Sequence, residues 1–404
     1  MPNTAIVIEN GYITAVGPEA QVDVSRAEPA VHLDAQRLAI LPGLIDSHVH
    51  LTFSAGPDHS SVIRQLAEDT DERLLLRASR QAQLALAAGI TTVRDCGGKG
   101  VITIGLRDAI KAGHTIGPQV LACGMPITTK AGHMHFLGLE ADGENELRSA
   151  VRSQVRAGAD FIKVCATGGN MTPGSNPRRA QYSLAELAAA VTESHRLGCR
   201  VASHAIGAEG IRYSVEAGAD TIEHFHWLDE IGRYAYDRGV VQELIARGLF
   251  VGVPLPGLYR VLLPRAGWDV SAMASKRAEL QAQLEPVRRA IQDGALFIIS
   301  SDAGVRFTHF QDFSQSLEVA VLALGLTPME AIVAATCTAA QALGLEDQVG
   351  TIEVGKRADL VLVDGDPLAD IRAIGRVRWV IRQGQVAARD RLLVLAPDQG
   401  AGAG

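Results

Sequence analysis

The chain has no apolar run long enough to span a bilayer, no block of basic residues, no Cys-x-x-Cys pair and no internal repeat. The first absence argues against a membrane-spanning helix. The second, with a formal net charge of −7, argues against a nucleic-acid or acidic-membrane partner held by electrostatics. The five cysteines (Cys96, Cys123, Cys165, Cys199 and Cys337) are odd in number and scattered, which suits free thiols in a reducing cytoplasm. The opening stretch MPNTAIVIENGYI lacks the basic and apolar regions of a secretory signal, so a cytoplasmic location is expected. Low complexity is confined to the Gly/Ala-rich last few residues, expected to be disordered.

What is present is a chain of 404 residues, 47% hydrophobic and 21% charged, with 41 glycines. That length allows two or three domains, although an α/β barrel alone takes roughly 250 residues. Short apolar or β-branched runs alternate with helical patterns. The strand candidates are LPGLIDSH from 41, GITTVRD from 89, QVLACG from 119, DFIKV from 160, RVASH from 200, DTIEH from 220, LFVGV from 249 and ALFIISSD from 295. Eight such runs separated by helices predict a (β/α)8 TIM-like barrel. In ENELRSAVRSQVRAG, Leu147, Val151 and Val155 repeat every four residues and Gly158 supplies the stop. In SLAELAAAVTESHRLG, Ser183 is the expected N-cap, Glu186 completes a capping box and Gly198 ends the helix. A doubly wound sheet would need a Gly-rich phosphate loop after its first strand, and GLIDSHVHL offers none.

The ends read differently. Residues 5–16 and 350–388 carry short strands with Asn-Gly, Asp-Gly and Gln-Gly turn signals. The expected division is an N-terminal part of a small β-sandwich over 1–40, the barrel over 41–345, and the rest of the sandwich with a tail over 346–404. The N-terminal part is expected to be one strand short.

His48 and His50, two apart at a strand end, point to the same side because side chains alternate along a strand. Alone, His-x-His is as often a matter of packing as of chelation. The later strands end in Lys163, His204, His224 and Asp302, and a barrel opens all its strand C-termini onto one face. Each residue singly has a plain explanation: a packed histidine, a turn-capping aspartate, an ion-paired lysine. Together, four histidines, a lysine and an aspartate would be costly to bury uncompensated. A metal offsets that cost, and imidazole with carboxylate suits zinc.

The set GLIDSHVHL, FIKV, SHA, IEH and SSDAG resembles the amidohydrolase superfamily, in its binuclear subtype with a carboxylated lysine on strand four. The resemblance runs nearly the whole chain, through GLTPMEAIVAATCTAAQALGL and GTIEVGKRADLVLVDGDP. It implies two divalent metal ions, zinc by preference. His48, His50 and Asp302 would hold one, His204 and His224 the other, and a carbamate on Lys163 would bridge them. A shared hydroxide would attack a carbonyl, with Asp302 moving the proton to the leaving nitrogen.

The stretch KVCATGGNMTPGSNPRRAQYS resembles the branch of Xaa-Pro and Xaa-Arg dipeptidases and ochratoxinase-like amidases. In that branch the loop after strand three carries a substrate-facing histidine, a role that falls to His133 rather than His135. Phe225, where dipeptidase-like members have a small residue, is followed by His226 and Trp227, and the three are expected to shape an aromatic-lined pocket. Cys165 should pack beside Lys163. Arg178, and with it Arg179, is the candidate for pairing with a substrate carboxylate. PLPGLYRVLLPRAGW is expected to form a lid whose substrate contact is Tyr259.

The leading expectation is hydrolysis of the amide bond of a dipeptide or N-acyl amino acid. The alternative is a carbamate, urea or lactone carbonyl in an aromatic compound, favoured by the bulky 225–227 stretch. A non-catalytic scaffold has no chemical need of Lys163 or Asp302. A mononuclear deaminase lacks the lysine and carries His-x-x-Glu, whereas Glu209 stands five residues after His204. The expected partner is a small-molecule substrate, and a homo-oligomer is compatible with all of this.

Overall fold

Eight parallel strands form a ring: β1 Leu44–Val49, β2 Ile90–Asp95, β3 Gln119–Ala122, β4 Phe161–Cys165, β5 Arg200–Gly207, β6 Thr221–Leu228, β7 Phe250–Pro254 and β8 Leu296–Ser300. The structure is a computed structural model and describes residues 4–22, 32–263 and 273–394. Strands β1–β3 and β4–β8 are two ladders joined at their seams by a few hydrogen bonds. Asp160 N–H donates to the Ala122 carbonyl at 2.9 Å, and Asp302 N–H donates to that of His48, also at 2.9 Å. The result is a TIM-like barrel.

Strand alternation divides the apolar residues into two sets. Ile45, Leu121, Phe161, Ala202, Phe250 and Ile298 form one cluster with Ala339, Leu343 and Val349, at and just beyond helix Cys337–Leu343. The out-of-phase residues Val93, Val120, Ile162, Val164, Val201, Ile222 and Val251 pack with helix residues such as Leu86, Leu147, Leu187 and Ile211. Polar residues that share the inward phase therefore gather toward the other, C-terminal end.

The helices follow their local signals. Gly143–Arg156 is followed by Gly158 at φ +92°, and Leu184–Arg196 starts from a Ser183–Glu186 capping box. Among the described residues no helix is long and apolar enough to cross a membrane.

Strands Thr4–Glu9 and Tyr12–Pro18 pair antiparallel through Asn10-Gly11, both with positive φ. Strands Leu38–Pro42, Leu360–Asp364, Val377–Arg382, Gln385–Arg389 and Leu392–Leu393 form an antiparallel sheet, one of whose turns is Gln383-Gly384. Ile13 N–H and Ala358 N–H donate to the Lys356 and Gly11 carbonyls at 2.9 and 2.8 Å, joining the two ends of the chain. Leu41 and Pro42, expected in the first barrel strand, pair instead with Val361 and Leu360 of this sheet. The Gly/Ala-rich tail lies outside the described residues.

Candidate metal centre and active site

His48 Nδ1–H donates to Glu223 Oε2 at 2.8 Å, and His50 Nδ1–H donates to the Gly97 carbonyl at 2.8 Å. Each bond places the ring proton on Nδ1 and leaves a lone pair on Nε2. Both Nε2 atoms face Asp302 Oδ1, at 3.7 and 3.4 Å. Asp302 Oδ1 is buried and accepts no hydrogen bond from the described residues. Two lone pairs and a carboxylate oxygen, with no proton between them, repel one another; a cation satisfies all three. The three residues have ligand atoms within 4.8 Å of one another, and so could hold a metal ion.

His204 on β5 and His224 on β6 stand beside this group, their ring centroids 4.4 Å apart, with His224 also 5.3 Å from His48. The Nε2–H of His204 donates to the Gly168 carbonyl at 3.2 Å, which leaves Nδ1 free. Lys163 on β4 is 1% exposed, and its Nζ has no hydrogen-bond partner among the described residues. A lone buried ammonium among histidines is an expensive arrangement. A carbamate on the same nitrogen would be an anionic ligand, so this donor set fits a metal pair. Burial pushes the imidazoles of His48, His50, His204 and His224 below their ordinary value, holding them in the neutral, ligating form. For Asp302, burial raises the pKa, and the charges of His48 and Lys163 offset only part of that rise.

Strict alternation would put Glu223 and His224 on opposite faces of β6. The register breaks here: Ala205 and Gly207 of β5 lie against His224 and Leu228 of β6. His224, Phe225 and Trp227 have φ of +73°, +57° and +60°. This bulge lets adjacent residues serve one site, His224 in the ring cluster and Glu223 under His48. Gly252 makes room for the carboxylate, since a Cβ there would meet Glu223 Oε2 at 2.6 Å. Arg94 ion-pairs with Glu223 Oε1 and donates to the Ser47 carbonyl at 2.6 Å. Burial would raise the Glu223 carboxyl, but the Arg94 charge and the His48 hydrogen bond outweigh it and hold it well below the carboxylate range. Ser301, next to Asp302, donates N–H and Oγ–H to the buried Asp46 carboxylate at 3.0 and 2.5 Å. That clamp supports the φ of +56° at Asp302.

A cavity of about 360 Å³ opens over these residues. His133 lines it from the loop after β3, its ring centroid 4.5 Å from that of His204. Thr172 Oγ1 lies 3.1 Å from His133 Nδ1 and accepts Met134 N–H at 2.8 Å, so the hydroxyl proton is free to meet Nδ1. Nε2–H is then the free donor. A Cβ on Gly169 would lie 2.3 Å from this ring, so only glycine admits it. Burial, with the charge on Lys163, lowers the His133 pKa to about 3, and the ring stays neutral. His226 and Tyr259 also line the cavity. Gln283 Nε2, from helix Ala274–Gln292, lies 2.8 Å from His226 Nε2. The Tyr259 hydroxyl is buried without a partner among the described residues.

Other expected contacts fall elsewhere. Phe225 and Trp227 are 0% and 1% exposed, belong to the main apolar core and do not line the cavity. The bulge faces them outward, edge to face at 5.3 Å, so the expectation of an aromatic-lined pocket from this stretch is corrected. Arg178 also lies outside the cavity lining, with its Nε 3.4 Å from Asn176 Oδ1. His135 is exposed. Cys165 is buried, and burial pushes its thiol up to about 12, in keeping with packing. The described part of the expected lid is a 3-10 turn, Gly257–Leu262, with Val261, Leu262 and Leu263 buried; its residues 264–268 lie outside the described residues. Sequence reasoning missed Glu223, Arg94 and Asp46. The one available signal was a charged residue inside an otherwise apolar strand.

Residues 39–387 match the Amidohydrolase family. The chain is 29% identical to an ochratoxinase of Aspergillus niger over 401 residues, covering 92% of this chain and 79% of the relative. It is 25% identical to an imidazolonepropionase of Geobacillus kaustophilus over 431 residues, covering 96% and 91%. Among solved structures, the A. niger ochratoxinase superposes with a TM-score of 0.80 at 28% identity, covering 96% of this chain and 91% of that one. A Xaa-Pro dipeptidase with bound methionine superposes with a TM-score of 0.77 at 27% identity, covering 95% and 94%. The family match takes in the strands bearing all six converging side chains, and the chain belongs to the amidohydrolase family of hydrolytic enzymes.

Proposed function

We propose that this enzyme hydrolyses the amide C–N bond of a dipeptide or N-acyl amino acid with the help of two divalent metal ions, zinc by the chemistry of the donors. The observation that carries the reading is the facing of His48 Nε2 and His50 Nε2 toward the unpartnered Asp302 Oδ1. His48, His50 and Asp302 would hold one ion and His204 and His224 the other, with Lys163 as a carbamate between them. Bound there, a metal pair lowers the pKa of water toward neutrality and polarises a carbonyl. Asp302 takes the proton of the attacking water and delivers it to the leaving nitrogen. His133, neutral and with Nε2–H free, donates to the substrate carbonyl or carboxylate. Tyr259 offers a second donor from the cavity lining.

The rival reading, a carbamate, urea or lactone of an aromatic compound, drew its support from a bulky 225–227 pocket. With Phe225 and Trp227 buried in the core, that support is gone, and the reading is favoured instead by the likeness to phenylurea hydrolase B, with a TM-score of 0.75 at 25% identity. The reading includes a cytoplasmic small-molecule enzyme with no nucleic-acid or membrane partner, able to form a homo-oligomer. Its support is the net charge of −7 and five unpaired cysteines.

The test is a hydrolysis screen of the zinc-loaded protein over dipeptides, N-acyl amino acids, aryl carbamates and lactones, with Asp302→Asn as control. Turnover of N-acyl amino acids or dipeptides is expected. Turnover confined to carbamates or lactones overturns the reading.

A further inference from the structure

Besides the metal-binding residues, the cavity lining carries two cations, Lys276 and Arg306. Lys276 Nζ is paired with Glu279 Oε1 at 2.8 Å. The Arg306 guanidinium has no hydrogen bond or ion pair among the described residues, although its loop is firmly held. Ala55 N–H donates to the Gly304 carbonyl at 2.8 Å, Phe307 N–H to that of Gly56 at 3.1 Å, and Gly304 N–H to that of Thr308 at 2.9 Å. Thr308 Oγ1 accepts Gly257 N–H at 2.9 Å, tying the same loop to the segment after β7. The tethered loop thus presents a half-buried cation to the cavity, four residues after Asp302, with no ion-pair partner among the described residues. His59 also lines the cavity, and its buried Nδ1 has no partner among the described residues. The hydrogen bonds of Gly304 and Phe307 to Ala55 and Gly56 bring the Arg306 loop against the segment that leads into His59.

We infer that Arg306, with His59 beside it, anchors a carboxylate of the substrate and makes the site select acids over their neutral analogues. The inference rests on the N-acyl amino acid reading above and supplies the anion contact that Arg178 does not reach. A guanidinium matches a carboxylate with two parallel N–H donors, and a site built around it leaves that cation unpaired when the ligand is neutral. Selection therefore comes from both the contact made with the acid and the desolvated charge left by the amide.

The experiment is titration calorimetry with N-acetyl-L-phenylalanine and with N-acetyl-L-phenylalaninamide, in a metal-loaded Asp302→Asn background that binds the ligands but does not turn them over. It compares the wild-type Arg306 with its variants. With Arg306 in place the protein should hold the acid about tenfold to a hundredfold more tightly, the range of a charge-assisted hydrogen bond. In Arg306→Gln the acid-to-amide ratio should collapse toward one, and Arg306→Lys should restore part of it. Any preference owed to the metals themselves would survive in Arg306→Gln. Retention of the ratio in that variant overturns the inference, as does the absence of an acid preference with Arg306 in place. A ratio that collapses in Arg306→Gln, in a protein whose screen shows no amide turnover, supports the anchor while overturning the amide reading.

Discussion

His48 and Glu223 are joined by a 2.8 Å hydrogen bond deep in the barrel, and Arg94 grips the other oxygen of the same carboxylate. The pair decides which nitrogen of His48 faces Asp302. Because Glu223 Oε2 accepts the Nδ1 proton, Nε2 is left as the ligand, and the ring cannot turn without breaking a buried charged contact.

Glu223→Gln is therefore expected to weaken metal binding by about 10- to 100-fold, the usual cost of losing a partner that orients a ligating histidine. It also leaves Arg94 buried without its counter-charge, which costs about 3–5 kcal/mol in comparable cases. Chelator competition measures the first effect and denaturant unfolding the second. Unchanged metal affinity would show that the ring is oriented by other contacts.

Lys163→Ala should lose both metal and activity, because the replacement carries no ligand. Short carboxylic acids such as acetate or propionate should restore part of each by standing in for a carbamate. Metal content per chain, with and without added acid, is the measurement. Full metal content and activity in the variant would remove the bridging role.

Asp302→Asn should keep substrate binding while turnover falls by about 10²–10⁴-fold, the span assigned to a positioned general acid–base group. Single-turnover kinetics on a zinc-loaded sample separate the two. A normal kcat would disqualify Asp302 as the proton carrier.

Phe225→Ala tests the correction made to the pocket. Phe225 is fully buried against Trp227, so its truncation should destabilise the fold by about 3–5 kcal/mol, as for other large core aromatics. The ranking of substrates should not move. A reordered ranking with little loss of stability would return Phe225 to the pocket wall.

Tyr259→Phe removes a buried hydroxyl that has no partner among the described residues. Stability should hold or rise, whereas KM should climb by about 2- to 12-fold if the hydroxyl meets substrate, the worth of one neutral hydrogen bond. An unchanged KM would mean that the phenol serves packing alone.

The strands, the capped helices and the six converging side chains were legible in the sequence because each depends on short-range pattern. Period-two alternation identifies a strand, Ser183 with Glu186 marks a helix start, and a strand end in a barrel has only one face to open onto. Six ionisable residues at matching strand ends therefore determined a shared site before any distance was known. Only the tertiary structure decided what surrounds them. The bulge in β6 arises from pairing with β5, and it turned Phe225 and Trp227 into the core while bringing Glu223 beneath His48. Glu223 and Arg94 are 129 residues apart, and Arg306 reaches the cavity because its loop is tied to Ala55 and Gly56. Those relations depend on long-range register and backbone hydrogen bonds between distant segments, which no local period encodes.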